Sequence, residues 1–146
     1  MRLNTSASVI SFAKQLEADS AAFYEKMAEG YPKAKEMLLT FSKENNNYVT
    51  LVQRAYYGVI TDALEGCFAF SVEADKYAFK TEPAKEPSFA DALNQAIDME
   101  RKLLSFYTDA AEQSEAFMAD VPRTFLLVAK KRKGREDKLR TLLKET

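Results

Sequence analysis

The chain has 146 residues, 47% hydrophobic and 29% charged, with a formal net charge of -1. That length suits one domain burying roughly 68–70% of its unfolded surface, so it needs no disulfide or structural metal to fold. The near-even charge disfavours a dedicated nucleic-acid binder, and the total lack of histidine excludes a Ser-His-Asp triad, a Cys-His pair and any imidazole metal ligand.

The first predicted helix runs from about Ser6 to Glu29. Ile10, Ala13, Leu16, Ala21, Tyr24 and Met27 recur there at helical steps. Gly30 and Tyr31-Pro32 read as a stop and a restart. The second helix is predicted from about Lys33 to Tyr57, with Leu38, Phe41, Tyr48, Val52 and Ala55 on its apolar stripe and Gly58 as a weak point at its end. Val59 to Lys80 is apolar and aromatic but less periodic, with Leu64, Phe68, Phe70, Tyr77 and Phe79, and reads as a short helical crossover. Thr81 to Ser88 holds two prolines and no large apolar residue, a surface linker. Ser88 and Asp91 then make a start resembling a capping box.

The third helix is predicted from Phe89 to about Glu115, with Ala92, Leu93, Ala96, Ile97, Leu103, Leu104, Tyr107 and Ala111 on its stripe. Asp120, read as an N-cap with Pro122 in the first turn, opens the fourth. Phe125, Val128, Leu139 and Leu142 carry that helix to about Lys144. The expected fold is all-α: one domain over 1–146, an antiparallel four-helix bundle of two hairpins, 6–57 and 89–144. A long crossover and linker, 58–88, joins them and contains a short helix.

The N-terminal stretch turns polar by Lys14, too early for a signal-peptide core and cleavage site. No apolar run approaches the roughly 20 residues that span a membrane. The one cysteine, Cys67, sits among apolar residues and reads as a buried small hydrophobe. A single thiol fits a reducing cytoplasm.

The two halves resemble each other. Gln15–Glu29 parallels Asp98–Glu112 at a constant offset of 83, matching Glu17 with Glu100, Phe23 with Phe106 and Tyr24 with Tyr107. Glu100 has Ala96 and Ile97 one turn before it and Leu103 and Leu104 one turn after, so its carboxylate faces the interior. Glu17, between Ala13 and Ala21, is its weaker twin. Asn45 lies between Phe41 and Val49, with Tyr48 a turn on. Arg132 follows Val128 by four and Arg135 precedes Leu139 by four, which puts both on the apolar stripe. Buried carboxylates are costly unless paired or on a metal.

This arrangement resembles the rubrerythrin branch of the ferritin-like superfamily across both hairpins. The resemblance implies a bundle descended from one that held two irons, each half giving a glutamate from its first helix and a Glu-x-x-His pair from its second. Glu17 and Glu100, each seven residues before a tyrosine, take the first-helix positions. Aligning Leu38–Val52 puts Asn45 and Tyr48 at the second-helix pair of the first half; aligning Phe125–Leu139 puts Arg132 and Arg135 at that of the second. Four of the six ligand positions are therefore changed, and one cysteine cannot form the rubredoxin-like iron module of full rubrerythrins. Arg-x-x-Arg supplies two positive charges against the two remaining carboxylates, in a fork suited to bidentate pairing.

The expectation is a metal-free, salt-bridged interior without cofactor or redox catalysis, in a structural, binding or regulatory protein. By analogy with the family it is a homodimer. Tyr24, Tyr48 and Tyr107 then read as core tyrosines bonded to carboxylates. The first alternative is an iron-dependent peroxidase or oxidase, or an iron-binding protein, with unconventional ligands around Glu17 and Glu100. The second is an anion or nucleic-acid binder through Lys130–Arg135, where the competing reading is a solvated helix face. A further possibility turns Arg132 and Arg135 outward from a last helix frayed at Gly134.

Overall fold

The computed structural model describes residues 2–59, 70–80, 88–114 and 120–145. Among the described residues the chain is all-α apart from one small ribbon. Its helices are α1 (Ser6–Gly30), α2 (Lys35–Val59), α3 (Phe89–Ser114) and α4 (Asp120–Lys144). Two-residue strands β1 (Arg2–Leu3) and β2 (Val72–Glu73) pair antiparallel, Arg2 opposite Glu73 and Leu3 opposite Val72.

Local chemistry fixes the helix ends. Thr5 caps α1: its Oγ1 accepts from the Ser8 amide at 3.1 Å, and Ser8 Oγ accepts from the Thr5 amide at 3.2 Å. Gly30 ends α1, and Pro32–Ala34 form a single 3-10 turn before α2, as the Gly30 and Tyr31-Pro32 signals require. Ser88 and Asp91 form the reciprocal cap of α3, at 3.1 and 3.4 Å. α4 begins at Asp120 itself rather than after it, and runs unbroken through Gly134.

α1 packs along α2 and α3 along α4; α2 also meets α4, and α1 meets α3. The cross-helix bonds give the directions. Ser42 bonds Glu25 while Asn45 bonds the Glu17 carbonyl, so α1 and α2 are antiparallel. Tyr24 reaches Glu100 while Tyr107 reaches Glu17, so α1 and α3 are antiparallel too. α2 and α3 therefore run in the same sense, which only a long return connection allows.

Residues 60–69 of that connection, where most of the expected helical crossover falls, lie outside the described residues. Its described part is β2 followed by a short 3-10 helix at Ala74–Tyr77; Cys67, Leu64, Phe68 and the linker 81–87 lie outside the described residues. The Gln113 side chain brackets the Ser71 backbone, donating to its carbonyl at 3.1 Å and accepting from its amide at 2.7 Å. Tyr77 donates to Asp109 at 2.5 Å, and Lys76 pairs with the same carboxylate at 3.0 Å. Eleven residues after Tyr77, the Ser88 carbonyl accepts from Tyr31 at the far end of α1, at 3.2 Å. Phe70 thus sits beside Asn4 at the start of α1, and Ser88 beside Tyr31 just past its end.

Most of the predicted stripe residues form the core; Leu104 and Leu142 are only partly buried against it, and the side chain of Ala55 lies outside the described residues. On α1 it is Ser20 that is fully buried, while Ala21 is only half-buried. Phe23, Phe106 and Phe125 fill the interior beside the tyrosines. Among the described residues no helix is long and apolar enough to cross a membrane.

Candidate functional site: a buried carboxylate–guanidinium cluster

The interior of the four helices is polar at one level. α1 contributes Glu17, Ser20 and Tyr24; α2 contributes Asn45 and Tyr48; α3 contributes Glu100 and Tyr107; α4 contributes Arg132 and Arg135. All nine are buried, with exposures between 0% and 3%. The six predicted positions and both neighbouring tyrosines therefore meet at one place. Ser20 was not anticipated; its signal was its position three residues after Glu17 and four before Tyr24, on the same face.

Arg132 is the centre. Its Nη1 donates to Glu100 Oε1 at 2.7 Å and to Ser20 Oγ at 3.3 Å. Its Nη2 donates to Glu17 Oε2 and, at 3.3 Å, to Asn45 Oδ1. One guanidinium thus bridges the carboxylates of the two matching half-repeats. Arg135 lies one turn further on. It donates to Asn45 Oδ1 at 2.7 Å, to the Phe41 carbonyl at 3.1 Å, to Tyr48 Oη at 3.2 Å and to Glu100 Oε1 at 3.4 Å. Its guanidinium lies over the Phe41 ring at 4.5 Å and the Tyr48 ring at 5.2 Å. The partly exposed Glu44 carboxylate, 3.8 Å away, links Arg135 towards the surface. Neither arginine turns outward, and α4 does not fray at Gly134.

The tyrosines bond crosswise. Tyr24 on α1 donates to Glu100 Oε1 on α3 at 2.5 Å, and Tyr107 on α3 donates to Glu17 Oε1 on α1 at 2.6 Å. That exchange mirrors the offset of 83 between the halves. Each carboxylate is thereby oriented by a phenol from the opposite half, independently of α4.

The electrostatics follow from burial. Burial pushes the Glu17 carboxyl above its ordinary range, against the opposing pull of Arg132 and of the Tyr107 hydrogen bond. Burial, with Glu100 beside it, drives the Tyr24 phenol well above 10; burial, with Glu17, does the same for Tyr107. Burial also raises Tyr48. For Arg132 burial opposes the charge, but Glu100 and Glu17 outweigh it and push the pKa higher still. Two carboxylates and two guanidiniums balance formally, which is what allows four ionisable groups to be enclosed together.

This donor set does not fit a metal pair. Glu17 and Glu100 already accept from a guanidinium and a phenol each, and the Arg132 and Arg135 guanidiniums bring two fixed positive charges to the same carboxylates. Among the described residues no three His, Cys, Asp or Glu side chains gather as a ligand group. In the Lys130–Arg135 run, Lys130, Lys131 and Lys133 are exposed. Two of its cations are interior, and Lys133 pairs with Glu136 at 3.6 Å and Asp137 at 3.3 Å. Compared with known proteins, the chain matches no family model, no curated protein and no solved structure.

Proposed function

We propose that the chain is a ferritin-like four-helix bundle of the rubrerythrin type that has exchanged a diiron centre for an internal ion-pair cluster, and with it has lost redox catalysis. It acts as a cytoplasmic structural, binding or regulatory protein. The observation that carries this reading is the Arg132 guanidinium bridging Glu17 and Glu100. The parallel sense of α2 and α3 and the crosswise tyrosines support the ancestry. Assembly as a homodimer through a helix face belongs to the same proposal, and Leu126 and Leu127, exposed on α4, support it. A surviving iron enzyme would need Glu17 and Glu100 to give up their guanidinium and phenol partners.

The metal content of protein purified from iron-replete cells tests this reading. Iron far below one atom per chain is expected. About two irons per chain, with the ultraviolet absorption of an oxo-bridged pair, would overturn it.

A further inference from the structure

The groups that hold the Arg132 guanidinium come from three helices, none of which is its own. Glu17 and Ser20 lie on α1, Asn45 on α2 and Glu100 on α3. Four of their oxygens surround its two terminal nitrogens. Both carboxylates are held in place by Tyr107 and Tyr24, whose bonds do not involve α4. Asn45 is fixed a second way, donating from Nδ2 to the Glu17 carbonyl at 3.2 Å. The Tyr48 ring closes one side of the guanidinium, 5.1 Å from its central carbon. These are the features of a preorganised receptor: charge complementarity, planar hydrogen-bond geometry and an aromatic wall, each with its own support.

We infer that the interior is a guanidinium receptor in which Arg132 is the resident ligand, so that it binds a free guanidinium cation once that side chain is cut back. The specificity follows from geometry. Glu100 and Ser20 accept from one terminal nitrogen, Glu17 and Asn45 from the other. A planar fork meets all four acceptors, and a compact ammonium does not. With Arg132 shortened, Glu17 and Glu100 face Arg135 alone, and a monovalent cation restores the balance. The inference rests on the geometry of the cluster, not on its ancestry, so the iron assay and the test below fail independently.

The test is thermal unfolding of Arg132→Ala, followed by circular dichroism, in low-millimolar guanidinium chloride, ammonium chloride or sodium chloride. Below its denaturing range, guanidinium should raise the variant's Tm by roughly 3–5 °C for each tenfold increase above half-saturation. Ammonium and sodium should not. The parent protein, Lys131→Ala, and Arg132→Ala combined with Glu17→Gln should show no such rise. If Arg132→Ala alone does not fold, the readout becomes recovery of helical signal on refolding with each salt. A guanidinium effect no larger than that of sodium or ammonium, or one equal in the parent, overturns the inference. So does a variant that no salt refolds.

Discussion

At the scale of single residues the interior is a set of mutually paired charges, and its members are worth most as partners. Removing one partner of a buried ion pair typically costs about 3–5 kcal/mol, because the other is left uncompensated. Arg132→Ala and Arg135→Ala should each destabilise by that order in urea unfolding. Lys131→Ala, one residue away on the exposed face, should change stability by less than about 0.5 kcal/mol. Equal effects for all three would contradict the buried cluster. The tyrosines give a pH signature. An unfolded tyrosine ionises near pH 10, while Tyr24 and Tyr107 are held protonated well beyond it. The folded state therefore binds more protons than the unfolded state above that pH. Their contribution is complete below about pH 10 and is lost as pH rises through the higher folded values. In an alkaline titration, the last phenolate absorbance should appear only together with loss of helical signal. Replacing Tyr24 and Tyr107 by Phe should shrink that late fraction, leaving Tyr48 and Tyr77, which burial also raises. If all 7 tyrosines ionise near pH 10 with the helices intact, the burial of these two is wrong.

At the scale of elements, α4 carries the most tension between sequence and structure. It places two arginines inside and a glycine in its middle, yet stays helical over 25 residues. Packing decides this: Phe125, Val128 and Leu139 bury the same face as the arginines, and tertiary burial outweighs the local cost of Gly134. That cost is measurable, because a Cβ at Gly134 would meet nothing within 4 Å. Gly134→Ala should stabilise by about 0.5–1 kcal/mol, seen as a higher urea midpoint at unchanged m-value. A decrease would mean that the position is not open helix surface.

The four helices were legible because their apolar residues repeat over many turns, and the caps at Gly30, Pro32 and Ser88 mark where the repeats break. The ribbon was not legible. Two-residue strands are too short to show alternation, and Arg2 finds Glu73 only after the helices have brought distant segments together. Ser20 was hidden for a related reason. A small polar residue beside Ala21 carries no hydrophobic signal, and only the guanidinium opposite gives it an inward role. The inward glutamates and arginines could be read, because charges on an apolar stripe contradict the pattern around them.

At the scale of the whole molecule, four helices deliver six positions to one point, and the repeat between the halves explains how. Glu17 and Glu100 are related by the same offset as Tyr24 and Tyr107, and the two pairs bond across that relation. The second helices of each half bring Asn45 with Tyr48, and Arg132 with Arg135, to the same level. A backbone that still aims these positions at one centre should accept the ligands that the family resemblance assigns to them. The combined change Asn45→Glu, Tyr48→His, Arg132→Glu and Arg135→His would supply four carboxylates and two imidazoles there, a ligand set suited to paired divalent iron or cobalt. Without metal, four crowded carboxylates should make this variant less stable than the parent. The most direct measurement is its melting temperature with and without Fe(II) or Co(II). Metal should raise the variant's Tm in a concentration-dependent way and leave the parent's unchanged. A variant that ignores both metals would contradict the convergence of these positions, and the proposed descent from a diiron bundle with it.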